Sequence, residues 1–64
     1  MKSLSFFQNA ILKIVRKSPQ PISITQIQTI VGRINKKYII LTLGILIYLG
    51  YIKRVEKYIY TAIY

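Results

Sequence analysis

The apolar positions of this 64-residue chain change period along its length, and the changes mark its elements. Phe7, Ile11, Ile14 and Val15 lie at i, i+4, i+7 and i+8, which predicts an amphipathic helix over about 5–17. Ser5 and Gln8 fit a capping box at its start, the serine hydroxyl and the glutamine side chain each reaching an amide of the first turn. Lys13, Arg16 and Lys17 crowd its far end, where cations meet the negative pole of the helix dipole. Ser18-Pro19-Gln20-Pro21 ends the helix, because each proline disfavours helical backbone in the residue before it. Ile22 then stands alone in an extended context, enough for one short strand. Ser23-Ile24-Thr25-Gln26 repeats the capping box and opens a short helix over 24–31. Its core face is expected to be Ile27, Ile30 and Val31, with Ile24 at the entry.

Gly32 suits the position just past a helix end, where φ is often positive. Asn35 is a good N-cap for a third helix over 36–49, and Ile34 and Ile39 flank it at the spacing of a hydrophobic staple. Gly50 stops that helix. Helix end, tight turn and new helix together make a helix-turn-helix signal. At 100° per residue, Ile39, Leu43 and Leu46, flanked by Ile40 and Ile47, form the inner face. Tyr38, Leu41, Ile45 and Tyr48 form the outer one.

After Gly50 the period falls to 2. Residues 51–55 and 58–63 have the β-branched and aromatic content of strands, joined as a hairpin. A turn at Glu56-Lys57 sets Val55 opposite Tyr58, Arg54 opposite Ile59 and Ile52 opposite Thr61. Ile52, Ile59 and Ile63 then share one face, and Tyr51, Lys53, Tyr58 and Tyr60 the other.

Composition narrows the function. A domain this short buries only about 60% of its unfolded surface, and there is no cysteine to cross-link it. Fourteen isoleucines and six tyrosines concentrate apolar bulk instead. A formal charge of +9, with Glu56 the single carboxylate side chain, leaves the basic groups in need of an external anion. Without histidine, cysteine or a second carboxylate, acid–base catalysis and ordinary metal ligation lack their residues, and the three isolated glycines make no phosphate loop. No enzyme activity, cofactor, metal or small-molecule substrate is expected.

The order helix, short strand, helix, helix, hairpin resembles the winged helix-turn-helix family over 11–63. The residues that carry the resemblance are Ile34-Asn35 at the turn, then Ile39, Leu43 and Leu46, then Leu49-Gly50-Tyr51-Ile52 leading into the wing. Small basic members rich in isoleucine and tyrosine look like those of archaeal viruses and plasmids. The resemblance implies a single α+β domain over 1–64 that binds double-stranded DNA in the cytoplasm as a transcriptional regulator. By position, Arg33 and Asn35 of the turn and Lys36, Lys37, Tyr38 and Thr42 of the third helix would face DNA. Lys53, Arg54 and Lys57 would be the contacts of the wing. The charge pattern agrees, since six of the ten basic residues flank the uncharged run 38–52 in two clusters.

The outer face of the third helix offers almost no hydrogen-bonding side chains, whereas base edges are read mainly by hydrogen bonds. Two explanations stand side by side: weakly specific DNA binding through charge and wing, or a helix partly covered by another chain. The second makes Leu41, Ile45 and Tyr48 the interface of a homodimer, unless Met1 to Phe6 fold back over them. A winged-helix adaptor for other proteins, basic only for solubility, is the competing function. A membrane span is not expected, because the fifteen uncharged residues 38–52 rise about 22 Å as helix, against a hydrocarbon core of about 30 Å.

Overall fold

Serine opens the first two helices in the same way. In the computed structural model, which describes residues 4–63, Ser5 caps α1 (Phe6–Lys17) and Ser23 caps α2 (Ile24–Val31). Each serine hydroxyl accepts the amide three residues on at 3.2 Å, and the Gln8 and Gln26 side chains accept the serine amides at 3.0 and 2.9 Å. Between the helices runs β1 (Ile22–Ser23). After α2 come α3 (Lys36–Tyr48), β2 (Ile52–Glu56) and β3 (Ile59–Ala62). The three strands form one antiparallel sheet in the order β1-β3-β2. Three helices with a C-terminal hairpin make an α+β fold of winged-helix layout.

α3 ends in a Schellman motif. The Tyr51 amide donates to the Leu46 carbonyl and the Gly50 amide to the Ile47 carbonyl, both at 3.0 Å. Gly50 supplies the positive φ of 86° that this ending requires. The chain thus leaves the helix at a fixed angle, and Ile52 enters the core at the first residue of β2.

The core joins Ile11, Leu12 and Val15 of α1, Ile22 and Ile24, Ile27 of α2, Ile39, Leu43 and Leu46 of α3, Ile52 and Tyr60. Burying an aliphatic side chain of this size stabilises by roughly 1.5–3 kcal/mol, so these few residues hold the elements together without a cross-link. Ile30 departs from expectation: it is 61% exposed, and α2 turns Ile24 and Ile27 inward.

The hairpin register also differs from expectation. The turn is Lys57-Tyr58, one residue later than Glu56-Lys57, and Glu56 pairs with Ile59 across it. Val55 is the extra residue of a bulge between Arg54 and Glu56. Ile52 consequently faces Ala62, not Thr61, and Arg54 faces Tyr60. A one-residue slip exchanges the faces of a strand. Tyr60, expected outside, is buried, and Ile63, expected to share the face of Ile52, is exposed. β1 adds to the same arrangement by pairing Ile22 with Tyr60.

Candidate nucleic-acid interface

The turn between α2 and α3 is held by its own polar groups. Asn35 Oδ1 accepts the Lys37 amide at 2.9 Å as the cap of α3. Gln28 Nε2 donates to the Ile34 carbonyl at 3.1 Å, and the Ile34 amide donates to the Gly32 carbonyl at 2.8 Å. Gly32 takes φ 98° and ψ −140°, a backbone region that is essentially glycine's alone. Ile34 packs on the core while Arg33, Asn35, Lys36 and Lys37 stay exposed. The cap engages the Asn35 oxygen, leaving its amide nitrogen free to meet an outside acceptor.

Two depressions adjoin the start of α3. The first is a cleft of about 250 Å³ between α2, α3 and the wing turn, lined by Ser23, Ile24, Thr25, Lys36, Ile40 and Tyr58. The second is shallower and runs from the turn along α3, with Arg33, Asn35, Lys37, Tyr38 and Leu41 in its lining. Lys57 joins the first through Tyr58, its ammonium lying 5.6 Å from the centroid of that ring. Tyr38 is steadied by Phe7 of α1, ring centroid to ring centroid 5.1 Å. Lys36 and Lys57 thus border the first depression, and Arg33 and Lys37 the second. Across the chain, ten basic side chains stand against the single carboxylate side chain of Glu56.

Two expected contacts do not fit. Thr42 is only 5% exposed and its hydroxyl donates to the Tyr38 carbonyl at 2.9 Å, so it does not face outward. The inner face of α3 is rotated toward Thr42, and Ile40 and Ile47, expected inside, are exposed at its margin. Lys53 and Arg54 precede the bulge as neighbours on a regular strand, so their side chains leave opposite faces of the hairpin. They cannot both lie on the side of α3. Ser23, Thr25, Ile40 and Tyr58 were not among the expected site residues. The capping box marks the first two, since it sets the half-buried Ser23 and the exposed Thr25 at the start of α2, and Ile40 follows Lys36 by one helical turn. Nothing in the sequence marked Tyr58, whose place depends on the shifted turn.

Farther along α3 the outer face is bare. Leu41 is 64% and Tyr48 89% exposed, and Ile45, Ile47 and Leu49 are also exposed. Phe6 is exposed as well, so it does not cover this face; Met1 to Ser3 lie outside the described residues. On α1, Arg16 lies 5.9 Å from the centroid of the Tyr51 ring, which ties that cation to the end of α3. No helix among the described residues is long and apolar enough to cross a membrane. No protein-family model, curated protein or solved structure is found to match the chain.

Proposed function

We propose that the protein binds double-stranded DNA and serves as a transcriptional regulator in the cytoplasm, working as a homodimer. The observation that carries this reading is the grouping of Arg33, Lys36 and Lys37 with the wing turn, which bears Lys57, around the exposed start of α3. Cations set on a protruding helix and an adjoining hairpin suit phosphates on the two sides of a groove, and each phosphate neutralised releases counterions and adds affinity. A winged-helix adaptor gains nothing from that grouping.

Beyond Leu41, which lies within reach of the groove, the exposed Ile45 and Tyr48 favour a second copy of the chain as part of the same reading. A contiguous apolar patch tends to be covered, and Ile45 and Tyr48 lie roughly two to three turns beyond the cations, past the natural reach of a groove contact. Two-fold pairing sets two modules on one duplex.

NMR titration with a mixed-sequence duplex tests the site. The amides of 33–41 and 53–58 are expected to shift most. Shifts concentrated on 13–17 would move the interface to α1 and contradict this docking.

A further inference from the structure

The outward face of α3 changes character along its length. At 100° per residue, Lys37, Leu41, Gly44 and Tyr48 fall within about 60° of one another, opposite the buried Ile39, Thr42, Leu43 and Leu46. Each lysine of the first turn is followed one turn later by an aliphatic side chain in the same depression. Lys36 and Ile40 share the cleft against the wing turn, and Lys37 and Leu41 share the shallower one. Gly44 comes next, and a Cβ built there would meet nothing within 4 Å, so the surface beyond Ile40 and Leu41 is open to close approach.

The occupant of these turns must be anionic at its edge and apolar a few ångströms farther in. It must also need no hydrogen bond there, because Ile40, Leu41, Gly44 and Ile45 carry no side-chain donor or acceptor. In the major groove of DNA one group has that chemistry, the 5-methyl of thymine; the other exposed edge atoms are donors and acceptors. Pressing Ile40 and Leu41 onto those polar edges would strip their water without replacing it. A second copy of the chain fits these first turns poorly, since its α3 brings the same two lysines and no carboxylate.

We infer that the protein discriminates among DNA sequences by apolar contact of Leu41 and Ile40 with thymine methyl groups in the major groove. Lys36 and Lys37 hold the flanking phosphates. The inference rests on the DNA-binding reading above, and its test separates the two.

The probes are a 20-base-pair alternating A·T duplex and the same duplex with deoxyuridine for thymidine. Deoxyuridine lacks only the methyl and keeps every hydrogen-bonding atom of both grooves. One methylene-sized apolar contact is worth about fourfold in affinity, so one to two methyl contacts should make the thymidine duplex roughly four- to sixteenfold tighter. The salt dependence should be the same for both, because the phosphates are unchanged. Leu41→Ala should bring the two affinities together mainly by weakening the thymidine complex. Leu41 is exposed, and circular dichroism checks that the variant remains folded. Equal affinity of the wild type for both duplexes overturns the inference and leaves DNA binding standing. A G·C duplex of the same length is the third probe, and a preference for A·T over it that survives deoxyuridine substitution undiminished also overturns the inference, in favour of reading the narrow minor groove. Binding to neither duplex removes the DNA reading itself, and Leu41-dependent sedimentation with phosphatidylglycerol vesicles in that case assigns the face to lipid.

Discussion

The Ile24 amide donates to the Tyr58 carbonyl at 3.1 Å, joining the first residue of α2 to the tip of the hairpin. The bond, with the β1–β3 pairing beside it, fixes the wing turn relative to the helix-turn-helix. Within the turn Tyr58 adopts φ 66°, the left-handed region that costs a residue with a Cβ about 1–2 kcal/mol. Tyr58→Gly removes that cost, and Tyr58→Val worsens it through its branched Cβ. In urea, the glycine variant is expected to be more stable than the valine variant by about 1–2 kcal/mol. Matching midpoints for the two would mean that the turn does not depend on this conformation.

Two glycines should respond in opposite directions to alanine. Gly32 sits at φ 98° with open space around it, so Gly32→Ala is opposed by backbone alone and should cost about 1–3 kcal/mol. Gly44 lies inside α3, also with open space, and Gly44→Ala should gain about 0.8–1 kcal/mol from helix propensity. For a domain of this size each 1 kcal/mol moves the melting temperature by roughly 4–8 °C. Thermal denaturation of the two variants reads the contrast directly.

Thr42 should matter to neither partner nor function. Its hydroxyl bonds to the Tyr38 carbonyl within α3, and valine has its shape without the bond. Thr42→Val is expected to change stability by no more than about 1 kcal/mol and to leave DNA affinity unaltered. A marked loss of affinity in this folded variant would mean that the inner face of α3 opens on binding.

For the second copy, sedimentation equilibrium on the wild type and on Ile45→Glu is decisive. The wild type is expected to dimerise, and a carboxylate in the middle of the exposed α3 face should dissociate it without touching the core. A wild type that stays monomeric at high micromolar concentration eliminates the interface.

The helices were legible because each is announced locally. Ser5 with Gln8, Ser23 with Gln26, and Asn35 act within one turn of themselves, and all three cap as their spacing implies. Gly50 likewise ends α3 through bonds to residues just before it. The hairpin register depends on where a bulge falls, and Val55 looks like any other strand residue, so the burial of Tyr60 was not legible. Thr42 was misplaced for a related reason. α3 is apolar nearly all round, and its packing against α1, α2 and β2 decides which apolar stripe turns inward. Of the site, the cations around the turn could be read from the sequence, but not the cleft that brings Lys36 to Tyr58.

The central claim is that DNA phosphates meet the start of α3 and the wing. Fluorescence anisotropy with a labelled duplex over a range of salt concentrations, on the wild type, Lys36→Ala/Lys37→Ala and Lys13→Ala/Lys17→Ala, tests it most directly. Five phosphate contacts per monomer give a log–log slope of roughly −4 to −5, at about −0.9 per phosphate. The α3 pair should weaken binding and flatten that slope by about two contacts, while the α1 pair should leave both nearly unchanged. Equal losses from the two pairs would contradict the account, because they would reduce the interaction to charge without a docking surface.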